Sequence, residues 1–203
     1  MQNRKPKGFM EKILAIDCET TGLAQGSLNP VYDTENNKRY QSIAWGLIVA
    51  SATTFKPIEK LYVEIEWDGE SEWCKQAEGV HGLSKKYLNE HGVDEISAIE
   101  QIGSLIMKHF GDGSVSLLGH NVATFDRYFL CDLFERNGIK LKISNRLIDT
   151  YSVGLCTLGT FNSDDLFESV GLPDRDPEKH NALTDTEYAL ESMRRIHVAF
   201  QNL

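Results

Sequence analysis

The sequence predicts an α/β fold. A mixed five-stranded sheet, three antiparallel strands followed by two parallel ones, is flanked by helices. Three observations predict it. Up to Trp67 the chain holds three strand-like apolar stretches with no helical period between them, so antiparallel pairing through turns is the simplest connection. From Asp94 onward short apolar runs alternate with segments of helical period. The 203 residues, 41% of them hydrophobic, suffice for one sizeable core and contain no internal repeat, low-complexity tract or linker.

Residues 1–11 read as a flexible polar lead and 12–203 as a single domain. The first strand spans Ile13–Glu19, where a branched apolar run ends in acids and then Gly22. Residues 24–41 are polar and form a long loop or irregular arm. Ser42–Ser51 is the second strand, and Lys60–Trp67, with Leu61, Val63, Ile65 and Trp67 alternating, the third, with one wet face. A helix is expected from Asp94 to His109, with Ile96, Ile99, Ile102, Leu105 and Ile106 as one stripe, ended by Gly111-Asp112-Gly113. Val115–Leu118 is a short buried strand. Thr124–Asn137 is a helix with Gly138 at its C′ position. Arg146–Ile148 is the fifth strand and Ser163–Val170 a short helix. Pro173–Lys179 is a charged loop with two prolines, and Asn181–Phe200 is a long closing helix. The first strand should lie near the centre of the sheet.

The net charge of −9 excludes a general polyanion binder acting through bulk charge; a nucleic-acid ligand would need metal ions and a local basic strip to offset repulsion. Cys18, Cys74, Cys131 and Cys156 form no Cys-x-x-Cys pair, which argues against a zinc knuckle; a reducing cytoplasm is the expected compartment. The opening residues lack the apolar region of a signal peptide, no apolar run approaches the ~20 residues of a membrane span, and neither a polymerase domain nor a docking tail is visible.

Chemistry concentrates in three stretches. In Asp17-Cys18-Glu19-Thr20-Thr21-Gly22-Leu23, a strand puts Asp17 and Glu19 on one face and Leu14, Ile16 and Cys18 on the other. Two adjacent carboxylates repel, a conflict that a divalent cation removes; oxygen donors suit Mg²⁺ or Mn²⁺. One strand supplies too few ligands, so further acids must come from downstream. Gly119-His120-Asn121-Val122-Ala123-Thr124-Phe125-Asp126 joins a strand end to a helix start, with Asp126 in the first turn and Phe125 offering a face for base stacking. In His180-Asn181-Ala182-Leu183-Thr184-Asp185, His180 precedes Asp185 by five residues and sits on the Pro-bracketed loop, suited to act as a general base near pH 7. The other histidines (His81, His91, His109 and His197) read as surface or packing residues.

Jointly these stretches resemble the DEDDh group of 3′–5′ exonucleases, the DnaQ-like superfamily of the polymerase proofreading subunit, oligoribonuclease and RNase T. The likeness runs from about Ile13 to Leu190, and the His180–Asp185 spacing matches the histidine branch. Val80-His81-Gly82-Leu83-Ser84 is similar to a segment of proofreading-type members that precedes a helix. The resemblance implies an RNase H-like fold and two Mg²⁺ or Mn²⁺ ions. Asp17, Glu19 and Asp185 would hold the first, with Asp17 bridging to the second, on which Asp126 would act. His180 would take a proton from the attacking water, releasing nucleoside 5′-monophosphates from single-stranded DNA or RNA 3′ ends. Thr20, Thr21 and Leu23 would hold the terminal nucleotide, and His120 and Asn121 would bind it or brace their loop. A proofreading or repair role with a DNA polymerase in trans, and a homodimer, stay open. Two alternatives remain: an RNA-trimming exoribonuclease, and a noncatalytic nucleic-acid- or polymerase-binding module on the same fold.

Overall fold

The branched apolar run ahead of Asp17 becomes the middle strand of the sheet, β1 (Lys12–Thr20), in the computed structural model, which describes residues 10–175 and 181–202. Its side chains alternate between two cores, as the strand period of two requires. Leu14, Ile16 and Cys18 enter one hydrophobic cluster, Ile13 and Ala15 the other. The polar arm after β1 folds into a small hairpin, β2 (Tyr32–Asp33) and β3 (Lys38–Arg39).

β4 (Ser42–Ser51) pairs antiparallel with β1 and is buried at every position from Ser42 to Ala50. β5 (Pro57–Glu64) pairs antiparallel with β4 at the sheet edge. It starts three residues before the expected Lys60 and stops at Glu64, because Ile65 turns to a bridge with Val93 while Glu66 N–H donates to the Val93 carbonyl.

Two short helices follow that the sequence analysis did not resolve, α1 (Lys75–His81) and α2 (Lys85–His91). Each buries a single residue, His81 or Leu88, too few to write a periodic stripe. The segment Val80–Ser84 does precede a helix, and Ser84 Oγ caps it by accepting from Tyr87 N–H. α3 (Glu95–Phe110) is capped by Asp94, which accepts from Ser97 N–H at 2.9 Å. It buries Ile99, Ile102, Leu105 and Ile106, but Ile96, expected in that stripe, is 53% exposed.

β6 (Leu117–Gly119) pairs parallel with β1. α4 (Asp126–Glu135) is shorter than expected at both ends: the Asn121 carbonyl ties Thr124 and Phe125 N–H into a turn first, and at the other end Asn137 and Gly138 N–H donate three residues back, to Phe134 and Glu135, in tighter turns. Gly138 has φ +74° but lies two residues past the C-cap, Arg136. β7 (Ile148–Asp149) pairs parallel with β6. α5 (Thr150–Leu158), unforeseen, starts where Asp149 accepts from Tyr151 N–H. α6 (Ser163–Ser169) and α7 (Ala182–Gln201) complete the described elements, with Phe200 at the end of α7 exposed.

The sheet order β5-β4-β1-β6-β7 is the predicted mixed arrangement with the first strand in the middle. α3 and α4 cover one face through Ile102, Leu105, Phe129, Leu133 and Phe134. α7 covers the other through Ala189, Leu190 and Met193, packed on Ile13, Ala15, Ile48 and Ala50. Each large buried side chain in these layers stabilises the fold by roughly 1.5–3 kcal/mol. No described helix is long and apolar enough to cross a membrane.

Candidate metal centre

The alternation that buries Ile13 and Ala15 beneath α7 carries Asp17 and Glu19 to the same face, one pleat and two pleats further along β1. Gly46 of β4 stands opposite Asp17. A Cβ on Gly46 would lie 2.3 Å from the carbonyl carbon and oxygen of Ala182 and 2.4 Å from the nitrogen of Leu183, so the bare strand lets the start of α7 rest directly on it. Thr186 Oγ1 donates across that contact to the Gly46 carbonyl at 3.1 Å and to the Ala182 carbonyl at 2.7 Å. Asn181 caps the helix by accepting from Leu183 N–H at 3.0 Å and Thr184 N–H at 3.4 Å. The first turn of α7 thereby delivers Asp185 to the acids of β1. One carboxylate oxygen each from Asp17, Glu19 and Asp185 lies within 4.8 Å of the others.

Asp126 reaches the same end of β1 from the opposite layer. β6 runs tight against β1 because Gly119 has no side chain; a Cβ there would come within 2.7 Å of the Ile16 carbonyl oxygen. The following turn begins α4 at Asp126, whose Oδ1 accepts from Cys18 N–H at 3.0 Å. Asp126 is 1% exposed, whereas Asp17, Glu19 and Asp185 are only partly buried. It adjoins the three-oxygen cluster without belonging to it.

These carboxyls share one field. Burial raises Asp17 well above the ordinary carboxylate range, helped by Asp126, Glu19 and Asp185 and opposed by Arg175. Burial, then Asp185 and Asp126, pushes Glu19 up to about 7. Burial likewise lifts Asp126 to about 7 against the hydrogen bonds from Cys18.

Arg175 shares the cleft. Its Nη1 donates to Asp185 Oδ1 at 2.7 Å, its Nε to Asp164 at 3.1 Å, and its Nη2 to Asp164 and to Ser163 Oγ. The guanidinium carbon lies 5.0 Å from the centre of the Phe167 ring. Arg175, Ser163 and Phe167, with Asp17, Cys18, Glu19, His120, Asp185 and Ala189, line a cleft of roughly 240 Å³. The sequence analysis overlooked Arg175, Ser163 and Phe167. The legible signal was an arginine set between Asp174 and Asp176 and bracketed by Pro173 and Pro177.

The remaining expected residues divide. His120 is in the cleft, its Nδ1 3.1 Å from Thr150 Oγ1 and its ring edge-on to Tyr151; burial lowers its pKa and favours neutral imidazole. Thr20 Oγ1 donates to the Gly22 carbonyl, and Thr21 Oγ1 accepts from Gln41 N–H, so both hydroxyls are engaged in shaping the turn. Leu23 is 44% exposed. Asn121, at φ +57°, is exposed, and its N–H donates to Asp149 Oδ1, which anchors the loop to the start of α5. Phe125 is half-buried against Phe129, with ring centres 5.0 Å apart. His180 lies outside the described residues.

No family model and no curated protein matches the chain. Solved structures do. E. coli exonuclease I in complex with a 5cy-dT13 oligonucleotide superposes with a TM-score of 0.71 at 16% identity, over 96% of this chain and 42% of that one. The zinc-bound E. coli exonuclease I–single-stranded DNA complex gives 0.73 at 17% identity, over 95% and 42%. The complex with a dA16 oligonucleotide gives 0.72 at 16%, over 93% and 41%. The chain thus spans about two fifths of the length of these exonuclease structures, and what it shares with them, in an RNase H-like fold, is the mixed five-stranded sheet and its flanking helices.

Proposed function

We propose that this chain is a metal-dependent 3′–5′ exonuclease that removes nucleoside 5′-monophosphates from single-stranded DNA ends. One observation carries the reading: Asp17, Glu19 and Asp185, far apart in sequence, present carboxylate oxygens within 4.8 Å of one another, on a fold shared with exonuclease–oligonucleotide complexes. The donors fit hard cations, being all oxygen, and the upward shifts of Asp17 and Glu19, caused first by burial and then by their acidic neighbours, support a site whose charge a cation would offset.

Asp17, Glu19 and Asp185 would hold the cation, with Asp17 shared with a second one and Asp126 supporting it from the Cys18 side. Bound Mg²⁺ or Mn²⁺ would acidify a water and stabilise the departing 3′ oxygen. His180 would take the proton of that water. His120 would stay neutral and form one wall of the cleft, while the turn Thr20–Leu23 would seat the terminal nucleotide and Phe125 would flank its base. Preference for DNA over RNA is supported by the single-stranded DNA in the neighbouring structures.

The test is release of mononucleotides from 3′-labelled DNA and RNA oligomers in Mg²⁺ or Mn²⁺. Release that stops on adding EDTA, and that Asp17→Ala abolishes, is expected. Intact oligomers in every metal would leave only a noncatalytic binder, and faster loss of RNA would move the substrate to RNA.

A further inference from the structure

A guanidinium sits among these carboxylates, and its bonding is asymmetric. Only Nη1 reaches Asp185, inside the cleft where both side chains are 13% exposed. Nε and Nη2 are held from outside by Ser163 and by Asp164, whose side chain is 76% exposed. The Phe167 ring supports the group from beneath. Asp185 belongs to the oxygen cluster, so an approaching cation meets an existing positive charge on one of its ligands. Two cations on one carboxylate repel strongly in a cleft poorly screened by water.

We propose that Arg175 is a resident counter-charge of this cluster, released from Asp185 when a divalent ion binds and retained beside the site by Asp164 and Ser163. This rests on the reading of the cluster as a cation site. Release requires little motion, because two of the three guanidinium nitrogens keep their partners. It has a directional consequence. Removing the guanidinium should favour the metal, while removing its outer anchor should tighten its hold on Asp185 and disfavour the metal. The two substitutions act in opposite senses although both alter one charge of the same ion pair.

The experiment is calorimetric Mn²⁺ titration of the nucleic-acid-free protein, with thermal unfolding in EDTA to verify that each variant is folded. Arg175→Gln should bind Mn²⁺ roughly tenfold more tightly than wild type. Asp164→Asn, at an exposed position, should bind more weakly, and should lose most of that effect when Arg175→Gln is also present. Unchanged or weaker binding in Arg175→Gln overturns the proposal, as does an Asp164→Asn effect of equal size in both backgrounds. If neither wild type nor Arg175→Gln binds Mn²⁺, the cation-site reading itself fails, and this proposal fails with it.

Discussion

The backbone of Gly46 lies directly against Ala182, where any Cβ would come within 2.3 Å of its carbonyl group. The obstructing atoms belong to main chain, so no rotamer change can relieve the overlap. Gly46→Ala should therefore displace the start of α7 and cost about 1–3 kcal/mol of stability. Asp185 moves with that turn, so Mn²⁺ affinity should fall as well. Urea unfolding and calorimetry report the two effects separately; a variant with wild-type values in both would show that this contact does not position Asp185.

Asp126→Asn should separate stability from activity. The asparagine oxygen can still accept from Cys18 N–H, but the buried charge is gone. Asp126 titrates near 7 in the fold, so at pH 8 the wild type holds an unfavourable anion there. The metal-free variant should be more stable than wild type at pH 8, by on the order of 1 kcal/mol or more, with the difference shrinking as pH falls and closing only below the ordinary carboxyl value of about 4. Mononucleotide release should drop sharply. Equal urea midpoints at pH 8 would mean that Asp126 is not strained by its burial.

The pH dependence of the metal-free protein follows from Glu19. Its folded pKa is raised from 4.5 to about 7, so the folded chain binds more protons than the unfolded chain between those values. The stability it contributes is complete below about 4.5 and is lost as pH rises through about 7. Melting temperatures in EDTA should fall across that window, and Glu19→Gln should flatten the fall. Added Mn²⁺ should restore more stability at pH 8 than at pH 5, because the ligands must be deprotonated to bind it. A wild-type profile indistinguishable from that of Glu19→Gln would refute the assignment.

Asn181→Ala removes the side-chain acceptor for Leu183 and Thr184 N–H at the start of α7. Loss of such a cap costs about 1 kcal/mol. Asp185 N–H bonds to the Asn181 carbonyl within the same turn, so fraying there should also weaken Mn²⁺ binding. Calorimetry on Asn181→Ser, which can restore the cap, should recover most of the affinity; failure to recover it would give Asn181 a role other than capping.

His180→Ala should reduce turnover by about 10²–10⁴-fold while leaving Mn²⁺ affinity nearly intact, as loss of a general base does. Single-turnover rates on a labelled oligomer, set beside calorimetry, separate a lost base from a lost ligand. Unchanged turnover would exclude His180 as the base.

The long elements were legible because their burial repeats. β1 shows two cores in alternate residues, and α3 shows its core at Ile99, Ile102 and Ile106. The helices α1, α2 and α5 were not legible. α5 buries only Thr150 and Gly154, and α1 and α2 bury one residue each, so no period marks them. Their limits depend instead on local hydrogen bonds such as those to Ser84 and Asp149.

The sequence by itself determined that Asp17 and Glu19 share a face, because that follows from the two-residue period of a strand and needs no partner. It also marked Asp126 and Asp185 as acids at helix starts. Tertiary structure alone decided how these groups meet. Asp185 closes on β1 because Gly46 leaves room for α7, Asp126 stays one step back on the Cys18 amide, and Arg175 lies across Asp185. Each of these outcomes is a distance between segments remote in sequence, set by how closely two backbones can approach, and no local pattern of residues encodes such a distance.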